Sequence, residues 1–436
     1  MEIIYWNRIN KQERKQILSR PVISNHYALK ETVAQIIKSV KEKGDKALYE
    51  LTQKHDGVTL KNLLVSEDEI EEAFQNLKPE VIEAIKVAFT RIKNYHRNFL
   101  PKIKRINTHD GIICERIPKP ISAVGLYVPG GTAPLISTLM MLAIPAKIAG
   151  CKLKVLCTPP DKEGGVNPYL LFTAHLCGIN KIYKIGGAQA VAAMAYGTPS
   201  IPKVNKIYGP GNAWVTEAKL SVSQDPEGAS IDLPAGPSEV MIIADRTANP
   251  SFIASDLLSQ AEHGPDSQVM LITDCLSLAN KVNKKIIPLL VNLKRKSIIA
   301  KSLSYSRIIL VNKLEDAFDI CNTYAPEHLI LQLNEPRNYL SKIQTAGAIF
   351  LGALTPETLG DYVTGSNHVL PTYGFAKSYS GLAVDDYMTF ISVQESNLAG
   401  LQNLGQHAII LAELEGLDAH KSAISIRLKS EGTMRE

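Results

Sequence analysis

The chain has 436 residues, 45% of them hydrophobic and 21% charged, with a formal net charge of +5. This length supports two or three hydrophobic cores, and the composition is that of a globular protein, which excludes disordered and fibrous classes. The densest basic run, Lys294-Arg295-Lys296, is short and has no interleaved aromatics, so nothing favours a nucleic-acid partner.

The amino terminus, MEIIYWNRINKQERKQILSR, has charges spread along it and no apolar signal core, so the first 25 residues read as a short helical segment of a cytoplasmic protein. From about 26 to 105 apolar residues recur at three- and four-residue intervals, predicting helices punctuated by Gly44 and Pro79. β-rich runs then appear at about 122–128, 153–158, 181–185 and 204–208, separated by stretches rich in Ala, Leu and Met. The longest apolar stretch, 135–149, is interrupted by Ser137, Thr138, Pro145 and Lys147 and is too short to span a bilayer, which takes about 20 apolar residues.

After the junction LPAGPS a second series follows, at about 239–244, 268–273, 307–311, 328–333 and 347–351. Strands at this spacing, joined by helices, predict right-handed βαβ units and parallel sheets. The expected fold is α/β, with two Rossmann-like domains that lack the GxGxxG fingerprint. One domain combines 26–120 with 237–380, and the other is 121–236. A helical arm, 381–436, is too small for a core of its own and must pack on another domain or subunit. The six cysteines show no CxxC spacing, which removes the zinc-finger and thioredoxin-type readings.

Chemistry-bearing residues cluster in four islands. Gln260 and His263 lie in QAEHGPDSQ, at the end of a helix that Asn249 caps and Pro250 opens. Glu327 and His328 open the apolar run in YAPEHLI, where Pro326 would have to kink the chain for both to reach one cleft. Asp361 and His368 share GDYVTGSNHVLPT, while Glu415 and His420 share EGLDAHKS, with Asp418 as the expected cap. His and Asp donors without nearby cysteines suit a catalytic zinc, and a Glu-His pair suits general-base work on two protons. Each island alone also fits an ordinary surface. The turns Pro129-Gly130-Gly131, Gly186-Gly187 and Gly209-Pro210-Gly211-Asn212 follow predicted strands, where open α/β sheets bind ligands. Their pattern alone does not establish a dinucleotide site.

Together the segments VGLYVPGGTAPLIST, IGGAQA, IYGPGNAWVTEAK, DLPAGPSEV, DLLSQAEHGPDSQ, YAPEHL, GDYVTGSNHVLPTYG and EGLDAHKSA resemble the histidinol dehydrogenase family along nearly the whole chain. The resemblance implies a homodimer that oxidises L-histidinol through L-histidinaldehyde to L-histidine with two NAD and one zinc per site. It implies zinc ligation by Gln260, His263, Asp361 and His420, with the substrate's amine and imidazole completing the shell. It makes His328 the base for the substrate hydroxyl and Glu327 the activator of water. Ser238, His368 and Glu415 become substrate contacts, as do the zinc ligands and His328, and Tyr127, Gln189 and Asn212 become cofactor contacts. Glu415 and His420 would come from the partner subunit.

Ser366 and Lys377 depart from the commoner family pattern, outside the implied ligand set. Other readings of the same residues are a zinc hydrolase, an aldehyde step through a Cys114 or Cys151 thiohemiacetal, and an inactive scaffold.

Overall fold

The computed structural model describes residues 1–21, 26–75, 77–130, 134–234 and 236–430. Gly131 and the Ala235 position of the LPAGPS junction lie outside the described residues. The chain divides into two units, Met1–Phe99 with Ile121–Tyr387, and Leu100–Pro120 with Met388–Glu436.

The early strands are β1 (Glu2–Tyr5), β2 (Lys104–His109), β3 (Ile112–Pro120), β4 (Ala123–Tyr127) and β5 (Leu153–Thr158). Then come β6 (Lys181–Lys184), β7 (Lys206–Tyr208), β8 (Ser230–Ile231), β9 (Glu239–Ala244) and β10 (Gln268–Thr273). The last are β11 (Arg307–Leu310), β12 (His328–Gln332), β13 (Ala348–Leu351) and β14 (Met388–Ser396).

The first unit holds two parallel sheets, as the βαβ spacing predicts. One runs β6-β5-β4-β7-β8 and the other β1-β11-β10-β9-β12-β13. Leaving out β1, both follow one winding: the first strand is central, the next two lie on one side and the last two on the other. This shared topology is structural support for related halves. β9 and β10 are buried along their whole length, which is why they read as continuous apolar runs. The apolar stretch at 135–149 becomes the helix Ile136–Ala149, buried from Thr138 to Ala146 on all its faces. No described helix is long and apolar enough to cross a membrane.

The second unit is an antiparallel sheet, β14-β3-β2, with the paired helices Leu398–Leu414 and Asp418–Lys429. Here the expectations need correction. Helix was expected up to about 105 and again over 381–436, but β2 and β14 occupy those ends. Their polar-rich faces are largely exposed, so they lack the apolar runs that reveal buried strands. The first 25 residues, expected helical, also contain the edge strand β1, paired only with β11.

Candidate active site

Ala325 takes a left-handed conformation (φ 55°) just before Pro326, and β12 begins only at His328. Glu327 therefore precedes the strand and escapes its alternation, so both side chains turn to the start of β9. The backbone N–H of Glu239 donates to Glu327 Oε2 at 2.8 Å, and the Glu239 carbonyl lies 3.1 Å from His328 Nδ1. A carbonyl only accepts, so Nδ1 carries a proton and Nε2 is the titrating nitrogen. Glu327 Oε2 is 3.5 Å from Nδ1, and Asp361 Oδ1 is 3.6 Å from Nε2. Burial pushes the Glu327 carboxyl up, against the pull of His328. Burial also opposes charge on His328, but the Glu327 and Asp361 carboxylates outweigh it and hold the imidazole well above its usual range.

The site lies at the amino ends of β9 and β12, not at the carboxyl ends. The helix Pro250–Ala261, capped by Asn249 as expected, runs back from β9 and delivers Gln260 to this edge. His263 does not share a helical face with it: the helix stops at Ala261, and His263 lies in the turn beyond, its Nδ1 3.5 Å from Ser238 Oγ. Gln260 is fully buried. Its amide satisfies its neighbours with nitrogen toward Glu357 (2.9 and 3.1 Å) and oxygen toward the Glu239 N–H (3.2 Å).

Burial alone would raise the Asp361 carboxyl, but the imidazoles of His328, His368 and His263 hold it below its usual range. His263 is exposed, yet the protein packed about its ring lowers its pKa, and burial does the same to His368. His328 Nε2 and His368 Nε2 are buried without a hydrogen-bond partner. The structure thus brings together Ser238, Gln260, His263, Glu327, His328, Asp361 and His368.

The expected cofactor residues lie in the five-stranded sheet. Tyr127 ends β4, the central strand where the winding reverses, and its hydroxyl accepts the Gly187 N–H at 3.0 Å. Gln189 is buried in the helix Gly187–Tyr196. Asn212 is exposed and caps the helix Ala213–Ser223, its side-chain oxygen accepting from the N–H groups of Trp214 and Val215. Glu415 and His420 lie exposed in the second unit. The helix there begins at Asp418 with Leu417 as its cap, which corrects the expected Asp418 cap but keeps His420 in the first turn. Among the described residues no group of three or more His, Cys, Asp or Glu could hold a metal ion.

A family profile described as Histidinol dehydrogenase matches residues 19–428. The chain belongs to the histidinol dehydrogenase family. It is 53% identical to "Histidinol dehydrogenase" of Legionella pneumophila over 98% of both chains. It is 49% identical to that of Xanthomonas campestris, over 98% of this chain and 99% of the other. The crystal structure of histidinol dehydrogenase from Elizabethkingia anophelis superposes with a TM-score of 0.95 at 44% identity, covering 99% of each chain. Membership in the histidinol dehydrogenase family makes this an oxidoreductase of histidine biosynthesis.

Three residues of this family member escaped the sequence reading. Glu357 stands four before Asp361 in the helix Glu357–Tyr362, so the two share a face. It receives the Ser259 hydroxyl at 2.7 Å, and burial pushes its carboxyl up to about 8. Glu239 supplies the main-chain atoms that hold the pair, and Arg20 grips its side chain. The spacing of Glu357 was a usable signal; an acidic residue in a helix's first turn is otherwise unremarked. Of the cysteines, Cys151 is buried with its thiol pushed up to about 11, the reverse of an activated thiol, and Cys114 lies on β3 of the second unit.

Proposed function

We propose that this chain oxidises L-histidinol to L-histidine through L-histidinaldehyde, as a zinc-dependent homodimer using NAD. The observation that carries the reading is the Glu327–His328 pair, held by one residue's main chain beside Asp361, in a chain whose family is fixed over nearly its full length. Gln260, His263 and Asp361 suit zinc in donor type and charge state. The amide offers an oxygen, the protein packed about the exposed His263 ring favours the neutral imidazole, and the carboxyl is held ionised. We assign the fourth ligand to His420 of a partner subunit. When bound, zinc would grip and orient the substrate and NAD would take up the electrons.

The protein's own part is proton handling and positioning. Only in its neutral form does His328 serve as the base: Nε2 then receives the substrate's hydroxyl proton, since Nδ1 is committed to the Glu239 carbonyl. Glu327 keeps Oε1 for the proton of the water that hydrates the aldehyde, because the Glu239 N–H holds Oε2. Burial raises its proton affinity and strengthens it as a base. We assign Ser238, His368 and Glu415 to the substrate, and Tyr127, Gln189 and Asn212 to the cofactor. Six free thiols suit a reducing, cytoplasmic setting.

The test is the growth of reduced-nicotinamide absorbance from zinc-loaded protein given histidinol and NAD. Absence of any signal overturns the assignment. In single-turnover assays Glu327→Gln is expected to spare alcohol oxidation more than aldehyde oxidation, whereas His328→Asn impairs both. Equal losses for Glu327→Gln in the two half-reactions would refute the division of roles.

A further inference from the structure

The main chain of Glu239 holds both reactive side chains, yet its carboxylate takes no part in the proton steps. That carboxylate is buried and is claimed from the far end of the chain. The Arg20 guanidinium forks onto it, with Nε on Oε1 and Nη2 2.9 Å from Oε2. Nη2 also donates to the carbonyls of Tyr324 (2.9 Å) and Ala325 (3.4 Å), and the guanidinium lies 3.9 Å from the Tyr324 ring centroid. Tyr324 and Ala325 lead directly into the left-handed turn that releases Glu327 from its strand. A third segment joins them: the Tyr373 N–H donates to Glu239 Oε1 at 3.0 Å, and its hydroxyl donates to the Pro21 carbonyl at 3.1 Å. Tyr373 closes the segment that runs from the Asp361 helix through His368.

We propose that Arg20 is a positioning residue for the Glu327–His328 pair. One guanidinium ties the start of β9 to the turn before β12, and through Glu239 and Pro21 to the Asp361 loop. The task suits arginine, whose rigid planar fork serves a carboxylate and two carbonyls together, whereas lysine offers a single point of charge. Arg20 does not face the reacting atoms. It acts by setting where the Glu239 N–H and carbonyl stand, and an error of about 1 Å there is enough to cost about a hundredfold in rate.

The inference rests on the roles proposed for Glu327 and His328, and the experiment separates the two. Full-length, zinc-loaded Arg20→Met, Arg20→Lys and Glu239→Gln proteins are assayed with histidinol and NAD, and rates are normalised to the folded fraction from near-UV circular dichroism. Arg20→Met is expected to lower kcat about ten- to a hundredfold while KM for both substrates stays within about twofold, with Arg20→Lys recovering part of the loss. Combining Arg20→Met with Glu239→Gln should be no worse than Arg20→Met alone, because both partners are then removed.

If Arg20→Met does not fold, the Lys and Gln variants carry the test, each expected to lose about three- to tenfold in kcat at unchanged KM. An unchanged kcat per folded molecule, or a loss confined to KM, overturns the clamp. Glu327→Gln and His328→Asn run alongside. If they lose activity while the Arg20 variants keep it, the clamp alone is wrong; if both keep wild-type rates, the proposed roles of the pair fail and take the clamp with them.

Discussion

His96 shows how one buried side chain ties stability to the site. It is fully buried in the helix Pro79–Asn98, with Nδ1 unpartnered and Nε2 3.5 Å from the Asn367 amide nitrogen. Asn367 also donates to the Met141 carbonyl at 2.8 Å and accepts the Val369 N–H, which shapes the loop around His368. Burial pushes the His96 imidazole down to about 4, against a weaker upward pull from Asp385. Between the folded value and the ordinary one near 6.5, the unfolded chain binds a proton that the folded chain refuses. Stability is therefore lost as pH falls through this window, by on the order of 3 kcal/mol in all. His263 and His368 shift in the same direction, so the wild type alone does not isolate the effect. The difference between wild type and His96→Gln in urea unfolding does: it should change steadily from about pH 7 to about pH 5, and parallel curves would contradict the assignment.

At the scale of elements, the turn after β7 is locked by a buried ion pair. Lys219 bonds to Asp232, and Lys219 Nζ also donates to the Gly209 carbonyl at 2.8 Å. Asp232 Oδ2 accepts the Gly209 N–H at 2.8 Å. Gly209 needs this grip and no side chain of its own, since its φ is 122° and a Cβ would strike the Tyr127 carbonyl. Asp232→Ala leaves a buried lysine without its partner and is expected to destabilise by about 3–5 kcal/mol. If this sheet holds NAD as proposed, NAD affinity should fall with it, and Lys219→Met combined with Asp232→Leu should be milder; denaturant unfolding and calorimetric titration measure both. A cost below about 1 kcal/mol would mean the pair is effectively solvated. None of this shows in the sequence, where Lys219 and Asp232 are two unremarkable charges. What was legible follows the same physics: nine strands flanked by helices announced themselves as apolar runs, eight of them because they are largely buried, while the edge strand β13 keeps an apolar run although Ile349 is exposed. β2, β3 and β14 stayed hidden behind exposed or half-exposed, polar-rich faces, β1 behind its half-exposed edge position, and β8 behind its two-residue length. The side chains that the structure gathers, from Ser238 to His368, were legible by type. Of the groups that hold them, Glu357 left a signal in its spacing from Asp361, whereas Glu239 and Arg20 act through burial and main-chain geometry that spacing does not encode.

At the scale of the molecule, the second unit exposes more apolar surface than so small a body should leave to water. Leu414 is 83% exposed and Leu411 59%, on the helix that also presents Ile410. A cavity of about 570 Å³ opens beside them, lined by Leu411, Leu417 and Ile424 together with Glu415 and His420. A continuous apolar surface next to two chemistry-bearing side chains fits an isologous interface of the kind a two-fold dimer uses. If each site takes Glu415 and His420 from the partner subunit, lesions in the two units complement each other. His328→Asn and His420→Ala homodimers should both be inactive. In a mixed dimer one site then carries both lesions while the other carries neither. Random reassortment of equal amounts makes about half the dimers mixed, so activity should return to about a quarter of the wild-type level. If His420 served its own chain, every site in a mixed dimer would hold one lesion, and the mixture would stay as inactive as its parents. Unfolding and refolding the two variants together, then comparing the rate with that of the separately refolded proteins, distinguishes the arrangements without a ligand-bound structure.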